Sequence, residues 1–130
     1  MAEVSVLATV DLCDGIGDWL FDCDLCQTVC PWNQKLFNHT LDVSLQQPSN
    51  DDQQQALIDD LRYLLTASGK RLEKDFHGTP LARAGSFGLK RNALVVIGNR
   101  KLRTLQPEVS ALTSHDRLAD LAQWTLRQLA

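Results

Sequence analysis

The sequence has no long apolar run. The longest, ALVVIG at positions 93 to 98, is far shorter than the roughly 20 residues a bilayer-spanning helix needs. The opening MAEVSVLATV lacks a basic n-region and carries an acid at Glu3, so it reads poorly as a secretion signal. A cytoplasmic location is the expectation, and there thiols stay reduced, so clustered cysteines favour a metal or redox site over a disulfide framework. Strand-like alternation of apolar and polar residues is missing after residue 50, which leaves an all-α domain as the expected fold class. Neither proline nor glycine is abundant, at 4 and 7 residues. Collagen-like and wholly disordered classes are excluded. What remains is ordinary for a soluble globular chain: 130 residues, one domain's worth, with 44% apolar and 22% charged residues.

The helical reading begins after LDVSLQQPS, residues 41 to 49, a loop-like stretch that forms the best internal boundary. From Asn50 a capping residue, Asp51 and Asp52 precede Leu57, Leu61, Leu64 and Leu65 at helical spacing. Ser68 can cap a short second helix, with Leu72 and Phe76 one turn apart. Pro80 suits the first turn of a third helix carrying Leu81, Ala84, Leu89, Ala93, Leu94 and Ile97, which Gly98 and Asn99 end. A shorter helix is expected over residues 101 to 112, interrupted by Pro107. Ser114 is expected to cap the last helix, with Asp116 in its first turn and Leu118, Leu121, Ala122, Thr125 and Leu129 on one face. Antiparallel helix pairs joined by short polar turns are the pattern of HEAT-type repeats.

Positive charge is almost absent before residue 70. Residues 1 to 69 carry eleven acids against Lys35 and Arg62, a net of −9, whereas residues 70 to 103 carry nine bases against Glu73 and Asp75, a net of +7. So basic a segment inside an acidic chain can attract phosphates, because each Lys or Arg at a phosphate displaces a condensed counterion. Arg83, Lys90 and Arg91 are its candidate nucleic-acid contacts. A solvated helix face, or a basic face docked on the acidic N-terminal part, would give the same composition.

Three of the four cysteines stand close together, in CDLCQTVCPWN. Cys23, Cys26 and Cys30 have the spacing C-x2-C-x3-C followed by Pro31, matching the last three cysteines of the ferredoxin run C-x2-C-x2-C-x3-C-P, with Leu20 where the first would stand. Thiolates are soft donors suited to iron-sulfur clusters, and in such runs the cysteine before proline ligates a different cluster from its neighbours. Zinc held by these three with His39, or unligated buried thiols, are the alternatives. Cys13, alone beside acids, reads as a plain thiol.

Two stretches resemble a known family. GDWLFDCDLCQTVCPWNQ, Gly17 to Gln34, resembles the second cysteine motif of epoxyqueuosine reductases, and HGTPLARAGSFGLKRNALVVIGN, His77 to Asn99, resembles the helical segment that follows it. The combination of G-D-W, C-D-x-C-Q-x-V-C-P-W-N, G-T-P, R-N and G-N carries the specificity. The resemblance implies reduction of epoxyqueuosine in tRNA with a cobalamin and two 4Fe-4S clusters. It implies a ferredoxin-like region followed by a HEAT-like helical region. By position, Cys23 and Cys26 match ligands of one cluster and Cys30 a ligand of the other, while Arg83, Lys90 and Arg91 fall in the region expected to help hold tRNA.

The expected organisation is a non-family segment over residues 1 to 14, a cysteine-rich iron-sulfur segment over 15 to 45 and a HEAT-like helical domain over 50 to 130. The cobalamin domain, its catalytic acid and five further cluster ligands have no counterpart in the sequence, and Asp22 stands where the family has glycine. The chain therefore reads as a C-terminal portion of such a reductase, with no catalytic residue of its own, a labile or partial cluster when alone, and cobalamin only through a separate N-terminal reductase portion. The competing class is a HEAT-like module that binds RNA or protein and carries vestigial cysteines. Iron separates the two.

Overall fold

A computed structural model describes residues 12–21, 26, 29–33 and 49–130. The described residues form helices and turns with no strand, as the sequence pattern requires. The helices are α1 (Cys13–Ile16), α2 (Asn50–Thr66), α3 (Gly69–Asp75), α4 (Gly85–Arg100), α5 (Gln106–Ala111) and α6 (Ala119–Leu129). Short 3-10 turns at Pro80–Ala84, Arg103–Leu105 and Leu112–Ser114 join the later ones.

Local chemistry sets the ends. Ser49 starts α2: its hydroxyl accepts from the Asp52 amide at 3.2 Å and donates to the Asp52 carboxylate at 2.6 Å. That reciprocal pairing satisfies one of the orphan N–H groups of the first turn. The cap is thus Ser49, one residue before the expected Asn50. Ser68 caps α3 as anticipated, accepting from the Arg71 amide at 3.3 Å.

Differences from the sequence reading have identifiable causes. Pro80 opens a 3-10 turn, not an α-helix; Gly85, at φ +67°, breaks the turn from α4. α4 runs past Gly98 and Asn99 to Arg100, and Lys101 closes it in the left-handed conformation at φ 54°. There the Lys101 amide donates to the Gly98 carbonyl and the Leu102 amide to the Ile97 carbonyl, the double closure of a Schellman motif. Pro107 starts α5 instead of interrupting a longer helix, because proline lacks only an amide that the first turn leaves unused. α6 begins at Ala119, so Ser114 does not cap it.

α4 is the axis of the molecule. Residues 88, 89 and 93 to 98 are buried on every side, against α6, α2, α3, the Pro80–Ala84 turn and α1. A helical stretch that is apolar all round, as 93 to 98 is, belongs in a core. Its tightest contact is with α6: a Cβ placed on Gly98 would lie 2.5 Å from the Trp124 ring, so only glycine allows the buried indole to seat. Beside it the buried Thr125 hydroxyl donates to the Leu94 and Leu121 carbonyls at 3.0 Å, giving this polar group partners inside the core. At the far end Arg62 of α2 reaches Glu108 of α5 at 2.7 Å and Asp59 at 3.2 Å.

Candidate functional site

The segment leading to the cysteine motif docks on α4 through side chains of that helix. Asn92 and Asn99 are seven residues apart, two turns, and so share a face. Asn92 Nδ2 donates to the Leu20 carbonyl at 2.9 Å. Asn99 Nδ2 carries two hydrogens and uses both, donating to the Cys13 carbonyl at 2.9 Å and to the Gly17 carbonyl. Arg100 pairs with Asp18, Nη2 lying 2.9 Å and Nε 3.0 Å from the same carboxylate oxygen. Arg91 in turn orients Asn92, donating from Nε and Nη2 to its Oδ1 at 3.1 and 3.0 Å.

Beneath this clamp Cys13 is fully buried. Gly17 turns the chain at φ +68°, a conformation open to glycine. The clamp also lines a cleft of about 360 Å³ bounded by Asp14, Asp18 and Arg100. Cys13, inside the stretch assigned by sequence to a separate N-terminal segment, is thus packed against the helical part.

Of the proposed cluster ligands, Cys26 is exposed and Cys30 half-buried, and neither is in a disulfide. Pro31 begins a helical turn after Cys30, closed by the Asn33 amide donating to the Cys30 carbonyl at 3.0 Å. Cys23 and the alternative zinc ligand His39 lie outside the described residues. Two reduced, accessible thiols fit the donor chemistry of an iron-sulfur cluster. The described residues bring no group of three metal-ligating side chains together.

The basic segment is sorted by the fold into engaged and available charge. Lys90, one of the candidate nucleic-acid contacts, is half-buried, and its Nζ donates to the Leu65 carbonyl at 3.2 Å. Arg91 is likewise half-buried against Asn92. Burial lowers the pKa of both. The physical reason is the position of α4: with helices on all sides, even its polar positions touch protein. Arg71 is engaged by Asp75 at 2.8 Å, and the Tyr63 hydroxyl donates to the same carboxylate. Among the described residues Lys70, Arg83, Lys101 and Arg103 are exposed and form no ion pair. Arg83, on the Pro80–Ala84 turn, is the one predicted contact that faces solvent freely.

Sequence comparison adds the decisive observation. A protein named epoxyqueuosine reductase from Vibrio cholerae is 27% identical over 132 residues, covering 97% of this chain and 33% of the relative. One of the same name from Lactococcus garvieae is 25% identical over 113 residues, covering 85% of this chain and 30% of the relative. A third, from Synechocystis, is 32% identical over 82 residues, 63% of this chain and 27% of the relative. Over most of its length the chain is similar to proteins named epoxyqueuosine reductase. It spans about a third of the length of these curated relatives and corresponds to their C-terminal portion. No protein-family profile matches the chain, and no solved structure matches it.

In the structure, the R-N and G-N pairs that carry the resemblance to the epoxyqueuosine reductases acquire a structural role. Arg91 and Asn92 fix Leu20, Gly98 admits Trp124, and Asn99 fixes Cys13 and Gly17. Sequence reasoning missed this clamp. Its signal was present as two asparagines two turns apart, flanking the apolar run 93 to 98, where amides packed against protein need partners. No helix among the described residues is long and apolar enough to cross a membrane.

Proposed function

We propose that the chain is the C-terminal iron-sulfur and tRNA-contacting portion of an epoxyqueuosine reductase-like protein of queuosine biosynthesis, inactive by itself. The observation that carries this reading is the match of nearly the whole chain to a third of proteins bearing that name. In this reading α4 is the frame: Asn92, Asn99 and Arg100 hold the segment from Cys13 to Leu20 in one register, so the following thiols are presented from a fixed base. Cys23 and Cys26 serve one 4Fe-4S cluster and Cys30 a second, each completed by ligands from an N-terminal reductase portion. Cobalamin, bound by that portion, supplies the reductive chemistry.

Two further features support the arrangement. Four of the five exposed large apolar residues among those described, Leu12, Trp19, Val29 and Trp32, lie between residues 12 and 32. Trp32 is 80% exposed, and a side chain of that size is a natural anchor for a covering partner. On the helical part, Arg83, Lys70, Lys101 and Arg103 offer cations to the tRNA backbone.

Iron and sulfide analysis, with an absorption spectrum, tests the reading on anaerobically prepared chain alone and co-expressed with an upstream reductase portion from a full-length relative. Substoichiometric, labile iron alone and full occupancy with the partner are expected. Stoichiometric zinc, or a stable complete cluster in the isolated chain, refutes the divided ligand set. tRNA binding is expected to weaken steeply with salt, each phosphate contact adding somewhat under one unit to the log-log slope.

A further inference from the structure

Between α3, the Pro80–Ala84 turn and the start of α4 lies a cavity of about 130 Å³. Leu72, Phe76, Leu81 and Leu89 give it apolar walls, and Glu73, His77 and Ser86 bring the polar groups. An apolar cavity on the order of 150 Å³ accepts one aromatic ring. Ser86 Oγ donates to Glu73 Oε1 at 3.5 Å, the outer limit of a hydrogen bond, so the carboxylate keeps acceptor capacity. Lys70 stands three residues before Glu73 on the same face of α3, and Arg83 stands between Ala82 and Gly85, which also line the cavity. Both cations are exposed and, among the described residues, form no ion pair.

An apolar slot the size of one ring, an acceptor at its edge and two cations outside match an anionic chain that carries flat rings with N–H groups. An apolar peptide side chain would fill the slot but leave the carboxylate and both cations unused. We infer that the cavity is a slot for one unstacked RNA base bearing an exocyclic amine, with the flanking phosphates on Lys70 and Arg83; this rests on the RNA-contacting role proposed above. Phe76 and the leucines stack on the ring, as proteins do when they read a base taken out of its helix. Glu73 accepts from the amine, as a glutamate does from cytosine N4. Uracil offers a single N–H between two carbonyl oxygens, which the carboxylate repels.

Fluorescence anisotropy with a labelled nine-nucleotide oligouridine carrying one central cytosine, against the all-uridine strand, tests the slot. The parent should prefer the cytosine strand. Ala82→Leu, which fills the cavity from an exposed position, should weaken that strand about tenfold, the scale of one lost base stack, and leave the salt slope unchanged. Glu73→Gln, a surface change, should abolish the preference. Lys70→Ala with Arg83→Ala should lower the slope by about one to two. Unchanged affinity in Ala82→Leu, or a preference retained in Glu73→Gln, overturns the slot while salt-dependent binding by the parent keeps the RNA-contacting role. No binding of either strand at low salt overturns that role and the slot with it.

Discussion

Replacing Asn99 by alanine removes both donors that fix α1 and the turn after it, and leaves the Cys13 and Gly17 carbonyls to find other partners. A net hydrogen bond contributes about 0.5 to 1.5 kcal/mol, so two amount to roughly 1 to 3 kcal/mol. The loss should fall on the local opening of residues 12 to 21 and not on the whole fold, because the leucine core of α2, α4 and α6 is untouched. Cys13 reports that opening directly, since its side chain is 0% exposed beneath the clamp. At about 2 kcal/mol the open population rises roughly 30-fold, one factor of ten for each 1.4 kcal/mol. Alkylation of the reduced protein, with modification of Cys13 followed by peptide mass spectrometry, should show a rate increase of that order. The urea midpoint should move much less. Arg100→Ala should raise the Cys13 rate only slightly, because its bond to Asp18 is between two half-exposed side chains and such pairs contribute at most about 1 kcal/mol. A Cys13 rate in Asn99→Ala within twofold of the parent would refute the clamp.

Gly98→Ala puts a methyl group into the Trp124 ring and should destabilise the fold by about 1 to 3 kcal/mol in urea titration, despite alanine's better helix propensity. Lys101→Gly relieves a left-handed lysine and should raise stability by about 1 kcal/mol by the same measurement. At Glu108, burial alone would raise the pKa; the Arg62 guanidinium, with a hydrogen bond from Glu108's own backbone, outweighs it and holds the carboxyl below its usual range. The stabilisation is therefore complete above the unfolded-chain pKa of about 4.3 and is lost as pH falls through the lower folded value. Thermal melts should show Glu108→Gln less stable than the parent at pH 7, with the difference vanishing in acid.

How much of this was legible in the sequence depends on whether a neighbour or a distant partner decides it. Ser68 and the leucine spacing of α2 act within a few residues, and both appear where expected. Pro107 reads from the sequence as an interruption, through proline's dislike of helix interiors, but the surrounding chain uses it at a start; Pro80 reads as a helix start and opens a 3-10 turn. The clamp joins residues more than 70 positions apart, and no local pattern gives such a pairing. Composition located the positive charge, whereas its availability depends on which side of α4 meets protein. That is settled only by packing.

Lys90 turns that distinction into a measurement. Its ammonium donates to the Leu65 carbonyl, one of the last carbonyls of α2, which have no partner within their own helix. A cation at that end also meets the negative pole of the helix dipole. Lys90 therefore closes α2 against α4, and a charge so held is poorly placed to exchange its partner for a phosphate. Lys90→Ala should lower stability by about 1 to 2 kcal/mol, from the lost charge-assisted bond and the packing of the lysine stem. At temperatures where the variant stays folded, its tRNA salt slope should equal the parent's. Arg83→Ala should do the reverse, lowering the slope by nearly one unit with stability unchanged, because Arg83 is exposed and forms no ion pair among the described residues. A lowered slope in Lys90→Ala would show that the ammonium leaves Leu65 for the nucleic acid, and the assignment of Lys90 to the helix junction would fall.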